Sequence, residues 1–265
     1  NLNVRTSTSM ENQAYSTPAP LAMIASQLAG ITKDTWVYEP TAGNGMLLIG
    51  AAIENSRVNE INDKRAANLR SLGYEVEQQD ARYSNPPPSN TQERVITNPP
   101  FGRLKNAEGN LHTVKSDGYA IKAIDHLIAV NALDSMTDDG RATLIIGANK
   151  EPGGQTEYDK TFFNYLYSHY NVIEHFEVNG DLYKRHGAGW PVRVITINGR
   201  VASRQLSPRS GTIDRLDSWE EIYDRYNESV AAIGQQPDTG GTTSVEPGNQ
   251  QEGSNQGQPG PAVSN

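Results

Sequence analysis

The sequence predicts an α/β domain in which helices cover a mostly parallel β-sheet. Short β-branched segments alternate with helical patterns as far as residue 147, and such alternation is typical of parallel strands joined by crossover helices. Two more strand-like segments, residues 172–178 and 191–197, follow late in the chain, and a glycine-containing loop too long for a tight hairpin joins them. The sheet is therefore expected to end in an antiparallel pair.

Each predicted element is a short segment with helical or alternating spacing of its apolar residues. The strands before the late pair are expected at WVYE (36–39), RVNEI (57–61), YEVEQ (74–78), RVIT (94–97) and RATLIIG (141–147). The helices are expected at MLLIGAAIE (46–54), KRAANLRSL (64–72), YAIKAIDHLIAVNAL (119–133), KTFFNYLYSHY (160–170) and SWEEIYDRYNESVAAI (218–233).

The composition excludes several classes of protein. None of the 265 residues is a cysteine, so disulfides and thiolate metal sites are absent. No segment has the apolar length that a membrane span requires, and no targeting signal is recognisable, so a cytoplasmic protein without membrane contact is expected. The 5 histidines show no ligand spacing, and no metal site is predicted.

The formal net charge of −8 argues against a protein that holds nucleic acid by broad electrostatic attraction. Any contact with nucleic acid is therefore expected to be local. One candidate is a basic stretch that has a single acid, Asp181, beside it and consists of Lys184, Arg185, Arg193, Arg200, Arg204 and Arg209. A solvated basic face without a partner is the alternative.

A single domain is expected to span residues 1–233, with residues 1–12 as an N-terminal arm. The segment 234–265 is rich in Gly, Gln, Pro, Ser, Thr and Asn and contains no Lys or Arg. Such a segment cannot bury enough apolar surface to offset its ordering entropy. It is predicted to be a disordered tail or a linker, and a linker would make the chain one module of a longer protein.

The segment EPTAGNG, residues 39–45, is a candidate binding loop. It lies between a predicted strand and a predicted helix, and Gly43 and Gly45 allow the backbone to approach a ligand closely. The spacing differs from the dinucleotide pattern G-x-G-x-x-G because Leu48 stands three residues after Gly45. A site for a polar ligand is one interpretation, and a tight strand-to-helix connection is the other.

Two acids at the ends of the next strands favour the first interpretation. Glu60 lies at the end of the second predicted strand, and Asp80 follows the third. Because the carboxyl ends of parallel strands share one edge of a sheet, both are expected beside the glycine loop. Glu60 can accept hydrogen bonds from ribose hydroxyls, and Asp80 can accept one from an adenine amino group. A nucleoside-bearing cofactor is therefore predicted.

The segment NPPF, residues 98–101, is a candidate catalytic loop. Its strand is expected beside the first strand, so the loop would face the cofactor. Asn98 carries a neutral acceptor, and Pro99 and Pro100 fix the direction of main-chain carbonyls. Such acceptors suit an exocyclic NH2 that attacks a methyl group, while Phe101 offers a face on which a base can stack. The alternative is a simple turn with Phe101 in the core.

Taken in order, these motifs resemble those of S-adenosylmethionine-dependent amino-methyltransferases, specifically the adenine-N6 DNA methyltransferases. EPTAGNG is similar to the family's cofactor loop, Glu60 to its ribose-binding acid, Asp80 to its adenine-binding acid and NPPF to its catalytic tetrapeptide. QAYSTPAPLAMIASQLAGI, residues 13–31, resembles the Thr-Pro motif that opens a helix before that loop, so Thr17 is expected to cap this helix and Pro18 to lie in its first turn. The motif order is similar to that of the gamma group and of type I modification subunits.

The resemblance implies a Rossmann-like class I methyltransferase fold with seven strands, the last one antiparallel. It implies transfer of a methyl group from S-adenosyl-L-methionine to the N6 amine of a flipped adenine in DNA, in a bacterial or phage-infected cell. The implied catalytic residues are Asn98, Pro99, Pro100 and Phe101. The implied cofactor-binding residues are Tyr15, Ser16, Thr17, Glu39, Pro40, Thr41, Gly43, Gly45, Glu60, Ile61, Asp80, Ala81 and Asn98.

The sequence departs from the family by lacking a sizeable target-recognition domain after the catalytic core. Recognition is therefore expected from GRLKNAEGNLHTVKSDG (102–118), from EPGGQTEYDK (151–160), or from a separate recognition or helicase domain or subunit. His186 and Trp190 are candidates for contact with DNA, with ordinary loop positions as the alternative.

Three other functions remain open from the sequence. An NPP-aromatic loop is also used for guanine-N2 methylation of RNA and for methylation of a glutamine amide in a protein. The Thr-Pro segment favours DNA among these substrates. The third alternative is a noncatalytic module that keeps the methyltransferase fold within a larger assembly.

Overall fold

The computed structural model describes residues 17–84, 86–182, 189–201 and 203–234. The predicted N-terminal arm lies outside these residues, and so does the predicted tail beyond Gly234. The described strands are β1 (Val37–Glu39), β2 (Ser56–Asn59), β3 (Val76–Glu77), β4 (Gln92–Thr97), β5 (Val114–Ser116), β6 (Tyr119–Ile121), β7 (Met136–Gly147), β8 (Tyr170–Val178), β9 (Val192–Arg200) and β10 (Arg215–Leu216).

The α-helices flank the sheet and are short. They are α1 (Ala19–Leu28), α2 (Asp63–Ser71), α3 (Ile124–Asp134), α4 (Glu157–His169) and α5 (Trp219–Gly234). Within the described ranges, no helix combines the length and apolar character that crossing a bilayer would require.

Eight of the described strands form one sheet in the order β10-β8-β9-β7-β4-β1-β2-β3. β1 pairs in parallel with β2 and β4, so the strands that precede EPTAGNG and NPPF are direct neighbours, as the sequence predicts. β9 runs antiparallel to both β7 and β8. The predicted α/β class with a late antiparallel pair is confirmed.

The sheet has one strand more than predicted. β10 pairs in parallel with β8 at the outer edge, where Arg215 lies opposite Glu177. The guanidinium of Arg215 lies 2.6 Å from the carboxylate of Glu177, so an ion pair fixes this edge strand. A two-residue strand has no alternating pattern, which is why the sequence does not reveal it.

Residues 46–54 do not form the predicted α-helix. They form two short 3₁₀ turns, Met46–Leu48 and Ile53–Asn55. Ile49 between them is extended, and Gly50 has a φ of 91°, a conformation that glycine adopts without strain and that ends the turn. The glycine loop is therefore not followed by an α-helix N-terminus that a ligand could use.

The helix expected at residues 119–133 begins later than predicted. Residues Tyr119–Ile121 form β6, which pairs antiparallel with β5, and α3 begins only at Ile124. The turn between the strands contains Asp117 and Gly118, both with positive φ. A β-hairpin is therefore inserted between the NPPF loop and α3, and its first strand lies within residues 102–118, which were predicted to contribute to recognition.

Side chains of β7 alternate between two apolar layers. Leu144 and Ile146 pack with residues of α3 and α4, whereas Ile145 packs with residues of α1 and α5 on the other face. This alternation follows the two-residue period of a strand. Both faces of the sheet are thereby covered, and the carboxyl edge of the parallel strands remains for the loops.

We expect Ile145→Ala to lower the free energy of unfolding by about 2–5 kcal/mol, because the side chain is fully buried and its removal leaves a cavity. Leu206→Ala is the control, since Leu206 is 91% exposed and should change stability by less than about 0.5 kcal/mol. Urea unfolding of both variants measures the difference. Equal stabilities would contradict the two-layer core.

Candidate functional site

Hydrogen bonds tie three distant segments together at the carboxyl edge of the sheet. The amide of Asn98, after β4, donates to the Thr17 hydroxyl at 2.8 Å. The hydroxyls of Thr41, after β1, and Thr97 lie 3.0 Å apart. The Thr-Pro segment, the glycine loop and the NPPF loop therefore meet at one place.

Thr17 does not cap α1, and this part of the prediction is wrong. The helix has Pro18 at its N-cap position and no side-chain hydrogen bond there. The Thr17 hydroxyl instead accepts the hydrogen bond from Asn98. The other two residues implied in this segment, Tyr15 and Ser16, lie outside the described residues.

A cavity of about 210 Å³ lies between these loops and is called the central cavity here. It brings together ten of the sequence-predicted residues, namely Pro40, Thr41, Gly43, Glu60, Ile61, Asp80, Ala81, Asn98, Pro100 and Phe101. A smaller recess of about 40 Å³ adjoins it, and Thr17 and Glu39 contribute to its lining. The recess and the central cavity share Thr41, Gly43, Arg65 and Asn98.

The two glycines of the loop differ in what surrounds them. Both have positive φ, 59° at Gly43 and 76° at Gly45. A Cβ added to Gly43 would meet nothing within 4 Å, whereas one added to Gly45 would lie 3.1 Å from Leu69 of α2. Gly43 therefore borders open space in the cavity, and Gly45 lines neither cavity but allows the loop to pack on α2.

Glu60 holds the glycine loop with its carboxylate. One oxygen accepts a hydrogen bond from the Gly43 amide at 2.8 Å. The other accepts from the Asn62 amide at 2.7 Å and from Arg65 at 2.8 Å. The predicted pair of hydrogen bonds to a ribose would therefore require one of these donors to be displaced.

Asp80 lines the central cavity together with Gly43, and a neighbouring arginine holds its side chain. Arg82 donates to both carboxylate oxygens of Asp80, at 3.0 Å and 2.5 Å. Burial raises the pKa of Asp80, but the hydrogen bonds from Arg82 outweigh burial and hold this pKa below its ordinary value. The side chain is therefore an ionised acceptor in a fixed orientation.

Asn59 joins the loops after β1 and β3, a role that the sequence reasoning missed. Its amide donates to the carbonyls of Pro40 at 2.9 Å and Gln79 at 3.0 Å. Its side-chain oxygen accepts from the Gln79 amide at 2.9 Å. The sequence signals this role by an asparagine directly before Glu60, because a buried amide at a strand end must find hydrogen-bond partners.

Glu39 is a buried carboxylate in the recess. Its Oε2 has no hydrogen-bond partner among the described residues. Burial, and then repulsion by Glu60, raises the pKa of Glu39 well above its ordinary value. An unpaired buried carboxylate is costly, and a cationic group in the recess would relieve that cost.

The NPPF loop separates the central cavity from a larger cavity of about 480 Å³. Phe101 lines both, whereas Pro99 is buried and lines neither. Gly147 approaches the ring closely, since a Cβ there would lie 3.3 Å from Cγ of Phe101. Two further aromatic rings, those of Tyr158 and Trp190, line the larger cavity.

Buried polar groups form part of the larger cavity's wall. Asp125 accepts a hydrogen bond from the Gly147 amide at 3.0 Å, and burial raises the pKa of this carboxyl. Burial lowers the pKa of His126, so its ring is neutral at pH 7; the ring stacks on Phe162 with centroids 4.1 Å apart. His126 was predicted to be structural or exposed, and no local pattern in the sequence signals its position on this wall.

The loop from residue 147 to residue 154 is held by two arginines, the buried Arg193 and the partly buried Arg215. Glu177 is fully buried between Arg193, 3.3 Å away, and Arg215, 2.6 Å away. Arg193 donates to the carbonyls of Gly147 and Gly154, and Arg215 donates to those of residues 149 and 150. These bonds fix the loop that lines the larger cavity.

The predicted basic stretch therefore does not form one basic face. Arg193 is buried with Glu177, and Arg200 lies 3.2 Å from Asp138 in an ion pair. Arg204 and Arg209 are exposed, while residues 184 and 185 lie outside the described residues. Across the described ranges, no group of three or more His, Asp and Glu side chains is arranged to hold a metal ion.

No protein-family model matches the sequence, and no curated protein matches it. Solved structures do match. One, described as a modification subunit of a type I restriction enzyme from Vibrio vulnificus YJ016, has a TM-score of 0.57 and 11% identity over 81% of this chain and 53% of that chain. Another, a type I restriction-modification methyltransferase subunit from Streptococcus thermophilus, has a TM-score of 0.54 and 14% identity over 81% of this chain and 52% of that chain.

A third structure is described as a class I S-adenosylmethionine-dependent methyltransferase from Listeria monocytogenes. Its TM-score is 0.53 and its identity 13%, over 80% of this chain and 71% of that chain. These likenesses establish a Rossmann-like class I methyltransferase fold for the chain. The chain spans about half the length of the two restriction-modification subunits.

We expect the stability difference between the unsubstituted protein and Glu39→Gln to depend on pH. The folded protein keeps Glu39 protonated above its ordinary pKa of 4.5, whereas the unfolded chain releases that proton. The free energy of unfolding of the unsubstituted protein should therefore fall relative to Glu39→Gln as pH rises from 4.5 through the raised pKa. Urea unfolding of both proteins at several pH values measures this, and a difference that stays constant or grows with pH would contradict the assignment.

Proposed function

We propose that the protein transfers a methyl group from S-adenosyl-L-methionine to the exocyclic N6 amine of adenine in DNA. One observation carries the proposal. The NPPF loop is the common wall of two cavities, with Asn98 at the central cavity and Phe101 at both. A methyl donor in one cavity and an acceptor base in the other would meet at this loop.

The central cavity and its recess suit the two ends of the cofactor. Asp80, with Ile61 and Ala81 beside it, offers an ionised acceptor and apolar contacts to an adenine ring. In the recess, the buried Glu39 would release its proton when the cofactor's ammonium group enters, and its carboxylate would then pair with that cation. The cofactor would thus extend along the loops after β1, β2 and β3.

Glu60 is proposed to have a structural role in addition to the ribose binding that the family pattern implies. Its hydrogen bonds to Gly43 and Arg65 hold the glycine loop in place before any ligand is present. We propose that a ribose hydroxyl replaces Arg65 on this carboxylate when the cofactor binds. Both carboxylate oxygens would then accept hydrogen bonds before and after the cofactor binds.

The larger cavity suits a flipped base. Its volume of about 480 Å³ lies within the range of about 300–1,000 Å³ found for small-molecule sites. Phe101 offers a stacking face, and Tyr158 and Trp190 supply further aromatic wall. An adenine extruded from DNA would lie on Phe101 with its N6 toward Asn98.

The chemistry needs alignment more than it needs a strong base. The Asn98 side-chain carbonyl would accept one N6 hydrogen. The Pro99 main-chain carbonyl, which lines neither cavity in this structure, would become accessible when the base binds and accept the other, which leaves the nitrogen lone pair free to attack. When bound, the cofactor supplies a methyl group already activated by its sulfonium. The amine held by Asn98 and Pro99 would take this methyl group as the sulfur leaves, and the nitrogen would then release one proton to water.

The choice of DNA is supported by two of the similar structures, which are described as subunits of type I restriction-modification systems. Recognition of a target sequence is proposed to come from a separate recognition or helicase domain or subunit. The β5–β6 hairpin, inserted between the NPPF loop and α3, is proposed to assist it.

Asn98→Ala should abolish methyl transfer to DNA, because Asn98 holds the acceptor amine, and cofactor binding should remain measurable, weakened only by the loss of the Asn98 contact in the central cavity. Labelled cofactor and unmethylated duplex DNA measure transfer, and calorimetry measures cofactor binding. For the unsubstituted protein we expect label at adenine N6, identified by nucleoside analysis. Unchanged transfer in the variant would remove the catalytic assignment.

The same assay with ribosomal RNA and a glutamine-bearing peptide separates the competing substrates. Label on RNA guanine or on the peptide, with none on DNA, would replace the proposed acceptor. Failure to bind the cofactor at all would favour a noncatalytic module.

Asp80→Asn should weaken cofactor binding about tenfold or more, because a hydrogen bond to an ionised acceptor contributes about 1.5–3 kcal/mol. Asp34→Asn is the matched control, since Asp34 is exposed in the loop before β1, at the opposite edge of the sheet. Calorimetric titration with the cofactor compares the two variants. Equal affinities would show that Asp80 does not contact the cofactor.

A further inference from the structure

Two exposed cations lie over aromatic rings of the larger cavity. The guanidinium carbon of Arg103 lies 4.8 Å from the centre of the Tyr158 ring. The ammonium of Lys150 lies 5.1 Å from the centre of the Trp190 ring. Because both rings line the larger cavity, each cation is held at the rim of that cavity.

Neither cation is neutralised by a carboxylate within the described part of the chain. The ion pairs there involve other arginines, such as Arg82 with Asp80 and Arg215 with Glu177, and leave Arg103 and Lys150 without an acidic partner. Both side chains are exposed. They are therefore available to an anion from solvent.

The backbones that carry the two cations are held in place. Arg103 forms a β-bridge with Ala123 at the base of the inserted hairpin. The carbonyl of Lys150 accepts a hydrogen bond from Arg215 at 2.6 Å, so this residue is fastened to the buried Glu177. Cations on a fixed backbone lose less conformational freedom when they bind a ligand, which favours binding.

The anion that fits this arrangement is a phosphate next to an inserted base. The protein carries a net charge of −8, so a polyanion cannot be held by general attraction and needs local cations. Here the local cations flank a cavity with aromatic walls, and a nucleotide combines the same two features, a flat base and a charged backbone.

We propose that Arg103 and Lys150 bind the DNA phosphates that flank the acceptor nucleotide, while the rings of Tyr158 and Trp190 hold the two cations at the rim. The inference rests on the proposed function for the identity of the substrate. It adds the surface through which an acidic protein holds DNA at its active cavity.

Salt dependence of DNA binding tests the inference. A fluorescein-labelled DNA duplex is titrated with the full chain, in the presence of S-adenosylhomocysteine, at KCl concentrations from about 50 mM to about 200 mM, and anisotropy gives each dissociation constant. Arg103→Gln and Lys150→Gln should each reduce the slope of log K against log [KCl] by about 0.9, and the double variant by about 1.8. Cofactor affinity should not change in any of them.

Lys33→Gln and Arg204→Gln are the matched controls. Both residues are exposed, and both follow elements that end at the opposite edge of the sheet, so their removal should leave the slope unchanged. Slopes in Arg103→Gln and Lys150→Gln that equal the slope of the unsubstituted protein would overturn the inference, even if methyl transfer to DNA proceeds. Slope losses that occur with an RNA probe but not with DNA would also overturn it.

The assay distinguishes this inference from the proposed function. Slope losses on DNA without any methyl transfer would support the rim contact and remove the proposed reaction. Methyl transfer with unchanged slopes would support the proposed reaction and remove the rim contact. A protein that neither binds nor methylates DNA would overturn both.

Discussion

The hydrogen bond between Asn98 and Thr17 is the constraint on which the geometry of the candidate site depends. It joins segments 81 residues apart, and the contact between Thr41 and Thr97 joins a third segment to them. These side chains meet because β1 and β4 are parallel neighbours, so their following loops emerge at the same edge. The bond holds Asn98 where it lines both the recess and the central cavity.

The sequence predicts the central cavity well because each of its parts follows a strand directly. Glu60 and Asp80 need only the rule that carboxyl ends of parallel strands share an edge, and the structure places both in one lining. What the side chains do was harder to predict. Arg65, which donates a hydrogen bond to Glu60, lies in the next helix. Gly50 ends a turn whose apolar residues are spaced like those of a helix.

The larger cavity could not be read from the sequence for a different reason. Its residues come from segments spread between Phe101 and Trp190 and meet only after β4, β7 and β9 are side by side. The buried Glu177 illustrates the same limit. Arg193 looks like part of a solvated basic run in the sequence, yet it lies beside this carboxylate in the core, where a lost partner would leave an uncompensated charge.

Gly147 allows the Phe101 ring to lie in its observed position, because a glycine has no side chain to contact it. A methyl group there would stand 3.3 Å from the ring and 3.4 Å from the Asp125 carboxylate, so one of the two would have to yield by a few tenths of an ångström. The position of the Phe101 ring in the wall between the two cavities thus depends on a residue without a side chain, and a larger residue there would reshape that wall while the sheet around it stayed intact.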